Sequence, residues 1–179
     1  YGSGSSNGGY RAPLYTLLTN ANYAVDYVGT QTGNPGPLLD KDHEGHGGWC
    51  ISSVGNASRS GLYENIYGWF SSILDPHIIL LHIGTNDSTG SDFQHSIDRW
   101  SLLVDRIAEC EPSADIIVTT ILNRSTAANE FLITNYFNPY ITNAVLAQVA
   151  KGHKVHLLDM SSKLTLSDLG DGLHPSDAG

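Results

Sequence analysis

The stretch HIILLHIGTND at residues 77–87 joins an apolar run to a short polar loop. The run 77–83 is nearly all apolar, which predicts a β-strand buried on both faces of a parallel sheet. In such sheets the ligand lies beyond the carboxyl ends of the strands, which is where the loop 84–87 follows. There the Asn86 amide could donate to an oxygen that becomes negative during acyl transfer. The alternative is a turn in which Asn86 and Asp87 bond their own backbone.

The rest of the chain alternates between helical and strand-like apolar spacing. Helical spacing occurs at residues 10–19, in parts of 49–74, at 91–109 and at 129–150, where Pro139 is expected to interrupt the helix. Strand-like runs occur at 24–30, 77–83, 115–122 and 154–159. This alternation predicts an α/β fold whose parallel sheet is covered by helices on both faces. A chain of 179 residues with 40% apolar composition suits a single domain, residues 1–179.

The charge and composition of the chain narrow its possible partners. The formal net charge is -9 and no run of lysine or arginine occurs, which argues against nucleic acid and anionic membrane surfaces as partners. No stretch approaches the roughly 18 consecutive apolar residues of a membrane span. Few lysines with abundant Gly, Ser, Thr and Asn favour a secreted protein. A neutral substrate therefore fits better than a charged one.

The two cysteines, Cys50 and Cys110, are expected to stay unpaired. The helical pattern places Cys50 near the start of one helix and Cys110 at the end of another. In a layered fold these helix ends lie at opposite rims, beyond the roughly 7 Å limit for the Cα atoms of a disulfide.

The last loop, DGLHP at residues 171–175, carries a second candidate group. A spacing of three residues lets the Asp171 carboxylate fold back onto the imidazole of His174. It would then fix the tautomer of the ring and stabilise the imidazolium that forms when His174 takes a proton. The more common use of Asp-x-x-His is a helix cap beside a surface histidine.

The long central loop ends in DHEGHGGW at residues 42–49. Glycines that open a helix would leave backbone N–H groups, such as that of Gly48, free to face an anion. A metal site on His43, Glu44 and His46 is the competing interpretation, besides a flexible connector. His-x-x-His lacks the i, i+4 spacing of the helical zinc motif, so no metal is expected here.

These loops, in this chain order, resemble the blocks of the SGNH (GDSL-type) hydrolase superfamily, and residues 39–49 are similar to the second block of acetyl xylan esterases of carbohydrate esterase family three. The resemblance implies that Gly48 and Asn86 form the oxyanion hole, that His174 is the general base and that Asp171 orients it. It also implies a three-layer α/β/α sandwich with a flavodoxin-like parallel sheet of about five strands, of which the apolar pattern finds four. No cofactor is implied.

The chain departs from the family at its first block, which reads roughly G-D-S-x-T-x-G. Residues 1–4 look like the tail of that block, so the nucleophilic serine and the first strand are expected upstream of Tyr1, and the domain is expected to be truncated at both ends. Ser3, Ser5 and Ser6 lie in a Gly-Ser run typical of flexible turns.

The function implied is a serine esterase that hydrolyses short-chain acetyl esters, with xylan or a related carbohydrate as substrate and Trp49 as a substrate contact. One alternative is a non-catalytic carbohydrate-binding domain, whose stacking surface would come from Trp49, Trp69, Tyr136 and Tyr140. Aromatic residues in periodic segments more often pack inward. Another alternative is an SGNH lipase or thioesterase with a different acyl substrate.

Overall fold

The computed structural model describes residues 8–33, 36–54, 58–73, 75–87, 93–125 and 127–176. Ser3, Ser5 and Ser6 lie outside the described residues. The described elements are, in chain order, α1 (Arg11–Asn20), α2 (Leu62–Phe70), β1 (Ile78–Leu81), α3 (Phe93–Cys110), β2 (Asp115–Thr119), α4 (Ala127–Leu132), a π-helical turn (Ile133–Phe137), α5 (Asn138–Ala150), β3 (Val155–Leu158) and a 3₁₀ turn (Leu166–Asp168).

The three strands form one parallel sheet in the order β1-β2-β3. Its register sets Ile79 beside Ile116 and Ile116 beside Val155. Each strand lies inside a run that the apolar pattern predicted, and the connections between strands carry helices. The predicted α/β fold with a parallel sheet is therefore confirmed. The expectation that the strand at 77–83 is buried on both faces is wrong, because Ile78 and Leu80 on one face of β1 are 60% and 44% exposed.

The core lies between one face of the sheet and helices α3 and α5. Helix α3 turns Ile97, Trp100, Val104 and Ile107 inward, the helical spacing expected from the sequence. Trp100 is fully buried and its ring meets that of Tyr140 edge-on, 6.5 Å between centroids. No helix in the described part of the chain is long and apolar enough to cross a membrane.

The prediction of a strand at 24–30 is wrong. This segment has no regular secondary structure, and no described strand pairs with it along its length. Its backbone donors go to side chains of the following loop instead: Tyr27 N–H to Asp40 Oδ2 at 2.6 Å and Thr30 N–H to Glu44 Oε2 at 2.7 Å. An alternating apolar pattern does not distinguish a sheet strand from an extended segment held in this way.

One helical expectation needs correction. No helix begins at residues 47–50; α2 starts only at Leu62, and Cys50 forms an isolated parallel bridge with Gly61. The α-helical stretch over 129–150 is interrupted beside Pro139, as expected: the π-helical turn separates α4 from α5, and Pro139 lies in the first turn of α5, where its missing N–H is tolerated. Both cysteines are free, Cys50 in the core and Cys110 half-buried at the end of α3.

Candidate active site

The loop after β1 turns sharply at Gly84, which has φ +125°. A Cβ at this position would lie 2.3 Å from the ring of Phe137, so the close approach of the π-helical turn also requires glycine. The Asp87 N–H bonds back to the Gly84 carbonyl at 3.1 Å, which closes the turn. The backbone of this turn matches the simple turn alternative, but the side chains of Asn86 and Asp87 do not remain within it.

Asn86 and Asp87 both reach across to residues 49–51. Asn86 Nδ2 donates to the Trp49 carbonyl at 2.7 Å. The Ile51 N–H lies 3.0 Å from Asp87 Oδ1 and 3.2 Å from Oδ2. The predicted oxyanion residue Asn86 is thereby joined to the segment that begins with Gly48.

Gly48 lies in a turn, not at the start of a helix as predicted. Its φ of +80° is in the left-handed region that glycine adopts readily. Its carbonyl accepts a hydrogen bond from Arg59 Nη1 at 2.7 Å. Its N–H has no hydrogen-bond partner among the described residues. The backbone donor is thus left available by a turn and not by the first turn of a helix.

The histidine loop contains the contact that the Asp-x-x-His spacing predicted. Asp171 Oδ2 lies 2.8 Å from His174 Nδ1, and Asp171 Oδ1 accepts the N–H groups of Leu173 and His174 at 3.0 and 2.7 Å. The hydrogen bond with the His174 ring, followed by the two backbone donors, lowers the pKa of Asp171 to about 2. Asp171 is therefore ionised at neutral pH, and His174 Nε2 makes no hydrogen bond with any described residue.

The loop after β2 joins the two candidate loops. Arg124 Nη2 donates to the carbonyl of Thr85, which precedes Asn86. The Ser125 N–H donates to the Gly172 carbonyl at 3.1 Å, between Asp171 and His174. Arg124 and Ser125 were not predicted as site residues, although they follow a predicted strand at the carboxyl edge of the sheet, where ligands bind in parallel sheets.

A model of the GDSL-like lipase/acylhydrolase family matches residues 2–179. The chain belongs to this family. A multidomain esterase from Ruminococcus flavefaciens is 28% identical over 200 residues, an alignment that covers 98% of this chain. The chain spans 25% of the length of that relative.

Solved structures of esterases resemble this GDSL-type chain along nearly its whole length. The Clostridium thermocellum family 3 carbohydrate esterase has 30% identity and a TM-score of 0.77, over 97% of this chain and 82% of that one. A family 3 carbohydrate esterase from Talaromyces cellulolyticus has 26% identity and a TM-score of 0.71, over 93% and 81% of the two chains. A serine-to-alanine variant of an acetyl esterase, solved with an acetate ion, has 26% identity and a TM-score of 0.72, with coverage of 93% and 81%. The predicted SGNH fold and the class of carboxylic ester hydrolase are confirmed at this level.

Two buried charged side chains, Asp87 and Arg124, lie at the loop after β1 and beside it. Burial raises the pKa of Asp87 to about 6, against hydrogen bonds from Ile51 N–H and the Ser96 hydroxyl. Burial also lowers the pKa of Arg124, a residue that is 7% exposed and whose Nε has no hydrogen-bond partner among the described residues. Burying a charge costs free energy, so both side chains are candidates for a role in function.

The central loop of the GDSL-type chain builds an aromatic cluster around His46. The His46 ring stacks on Trp69 and packs against Trp49, with 4.4 Å between centroids in each pair. Glu44 Oε1 holds His46 Nε2 at 2.6 Å, while His43 Nε2 faces the Gly33 carbonyl at 2.9 Å. No group of three possible metal ligands occurs among the described residues.

The other aromatic residues considered for sugar stacking are separated from this cluster. Tyr140 packs against the core and bonds Ser101 Oγ through its hydroxyl at 2.8 Å. Tyr136 is exposed on the π-helical turn and meets Phe131 edge-on.

Within the described ranges, no serine hydroxyl is hydrogen bonded to His174.

Proposed function

We propose that this chain is the hydrolase domain of a serine esterase that removes acetyl groups from a carbohydrate, with xylan as the first candidate substrate. The proposed base is His174, oriented by Asp171, and the proposed oxyanion donors are the Gly48 N–H and the Asn86 amide. The nucleophile is the serine of a G-D-S block, and Trp49 contacts the substrate. The proposed setting is extracellular, where acetylated polysaccharides are found.

The observation that carries the proposal is the hydrogen bond between Asp171 Oδ2 and His174 Nδ1 at 2.8 Å. An ionised carboxylate on Nδ1 favours the tautomer whose Nε2 is an acceptor, which is the state a general base needs. The pair sits in a loop held through Ser125 to the same edge of the sheet as Asn86. A simple helix cap would not require this tie to a neighbouring strand loop.

The proposed reaction has two half-reactions. His174 Nε2 takes the proton of the serine hydroxyl as its oxygen attacks the ester carbonyl, and the negative oxygen that forms is bound by Gly48 N–H and Asn86 Nδ2. The intermediate then expels the alcohol, which receives its proton from His174. A water molecule activated by the same histidine hydrolyses the acyl-serine and releases acetate. Neither half-reaction needs a cofactor.

The acetyl and carbohydrate parts of the proposal are supported by the similar structures. Two of them are family 3 carbohydrate esterases, and an acetyl esterase was solved with acetate bound. The net charge of -9 favours a neutral ester over an anionic one. Trp49 is half-buried and directly follows Gly48, which supports its proposed contact with the alcohol part of the ester.

The test is hydrolysis of p-nitrophenyl acetate and acetylated xylan by the chain and by a form extended upstream with a G-D-S block. Activity of the extended form alone supports the proposed serine; activity of both forms means that another residue is the nucleophile. Activity only on long-chain p-nitrophenyl esters would favour a lipase. No activity with retained xylan binding would favour the carbohydrate-binding alternative.

Asn86→Ala in the active form tests the oxyanion hole. Removing one oxyanion donor typically lowers kcat by about 10²–10³. Asn65→Ala is a matched control, because Asn65 Nδ2 also donates to one backbone carbonyl, that of Gly61 at 2.8 Å, but on helix α2. We expect the loss of kcat only in Asn86→Ala; equal turnover in the two variants would contradict the role of Asn86.

A further inference from the structure

Asp87 is a buried acid that the proposed reaction does not use. Its side chain is only 3% exposed, in a part of the molecule dominated by apolar residues such as Ile51 and Ile83. Neutral groups can accept a backbone N–H without the desolvation that a carboxylate suffers. A charged acceptor at this position therefore calls for an explanation beyond packing.

Asp87 and its neighbour Asn86 contact the same short segment with opposite polarity. Asn86 donates to the Trp49 carbonyl at 2.7 Å, and Asp87 accepts from the Ile51 N–H at 3.0 and 3.2 Å. A flip of the peptide between Trp49 and Cys50 would present an N–H to the Asn86 donor, and a flip of the peptide between Cys50 and Ile51 would present a C=O to the Asp87 acceptor. The two contacts together therefore fix the orientation of both peptides.

The same segment positions Gly48, whose N–H is the other proposed oxyanion donor. Gly48 immediately precedes Trp49, whose carbonyl is held by Asn86, and its own carbonyl is held by Arg59 at 2.7 Å. With both carbonyls fixed, the peptide planes on either side of Trp49 have little freedom. Catalytic groups that are misplaced by about 1 Å can lose about 10² in rate, so such a restraint has kinetic value.

We propose that Asp87 is a positioning residue of the oxyanion hole. Its carboxylate holds the backbone of residues 48–51 in the orientation that also contacts Asn86. This inference rests on the proposed function. Asp87 acts through the backbone of Ile51 and does not touch the substrate. Its ionised form accepts with both oxygens, whereas a protonated carboxyl would turn one oxygen into a donor facing the Ile51 N–H.

The surroundings of Asp87 decide when it is ionised. The polar groups that interact with it are the Ile51 N–H, the Ser96 hydroxyl and the Arg99 guanidinium on α3, and the Cys50 thiol, which also interacts with Glu64. Burial outweighs the hydrogen bonds and the charge of Arg99, and the pKa of Asp87 rises to about 6. We therefore expect the hydrogen bonds between the Ile51 N–H and the Asp87 carboxylate to be fully formed above this pH and to weaken as the pH falls through it.

The direct test is the amide resonance of Ile51, followed by nuclear magnetic resonance between pH 4 and 8. In the wild-type chain it should shift with a midpoint near 6, the pKa of its acceptor. In Asp87→Asn this titration should be absent. The matched control is Glu64→Gln, because Glu64 Oε2 accepts the Ser53 N–H at 3.1 Å, two residues further along the same segment. The control should keep the Ile51 titration, and an Ile51 resonance that does not titrate in wild type would overturn the proposal.

Kinetics of the active form at pH 7.5 separate positioning from simple structural support. We expect Asp87→Asn to lower kcat for p-nitrophenyl acetate about tenfold or more, with KM changed less than about twofold and Glu64→Gln unchanged. A variant with wild-type kcat would overturn this proposal alone. If no form of the chain hydrolyses any ester, the proposed function fails and the positioning role fails with it.

Discussion

Asp87 leads to a stability prediction that differs in sign from that of an ordinary structural carboxylate. Burial raises the pKa of Asp87 from its ordinary value of 3.8 to about 6. The folded chain thus holds this proton more tightly than the unfolded chain, so protonation of Asp87 stabilises the fold. That stabilisation is complete below 3.8 and is lost as the pH rises through 6. At about 1.36 kcal/mol per pH unit, the loss is about 3 kcal/mol at neutral pH.

Asp87→Asn removes the charge with little change in shape, so the variant should lack this loss. The difference between the unfolding free energies of the variant and the wild type should increase by about 1.4 kcal/mol, in favour of the variant, from pH 5 to pH 7.5. Urea unfolding followed by circular dichroism measures both proteins, and their difference isolates Asp87 because all other titrating groups are shared. A difference that stays constant, or that moves toward wild type as the pH rises, would refute the reasoning, since the carboxylate would then be favoured by the fold.

Two further predictions concern the histidine loop and the turn after β1. Asp171→Asn should lower kcat by about 10⁴, the typical effect of losing the triad carboxylate, while the urea unfolding of the protein changes little. Because the pKa of Asp171 is about 2, the contribution of its carboxylate to kcat should be constant above pH 4 and fall only in strong acid. A loss of less than about tenfold would contradict its role. Gly84→Ala should lower the unfolding free energy by more than about 1 kcal/mol, because its Cβ would lie 2.3 Å from Phe137 at φ +125°. The control is Gly68→Ala in α2, where no described atom lies within 4 Å of the added Cβ; it should raise the unfolding free energy by about 0.5–1 kcal/mol. A similar change in both variants would contradict the steric role assigned to Gly84.

The sheet and its connecting helices were predictable because their signals are local. Each observed strand falls within an apolar run, and helix α3 buries Ile97 and Trp100 at helical spacing. The contact between Asp171 and His174 was also predictable, since three residues separate the two groups and the loop only has to close on itself. Patterns that span a few residues are readable from sequence because neighbouring positions share one geometry.

The segment around Gly48 was not predictable in the same way. Gly47 and Gly48 suit a helix start, a turn or a linker, and the sequence alone does not choose among them. The structure chooses the turn because Ile51 finds its acceptor on Asp87, 36 positions further along the chain. The wrong strand at 24–30 has a similar origin, since the partners of Tyr27 and Thr30 are side chains of a later loop. Contacts between distant segments depend on the assembled fold, which no periodicity encodes.

The preference for a carboxylate over an amide at position 87 follows from what an amide can do. An asparagine side chain can rotate to present its NH₂ group, and it would then meet the Ile51 N–H as donor against donor. A carboxylate has acceptor oxygens in both orientations, so rotation of the Asp87 side chain never places a donor against the Ile51 N–H. Burying the charge costs about 3 kcal/mol, from the rise of the Asp87 pKa to about 6. In return the backbone of residues 48–51 has one defined orientation at the proposed oxyanion hole. On this reasoning Asn86 and Asp87 act as one unit: the first supplies a donor to the reaction and the second keeps the other donor, Gly48, in place.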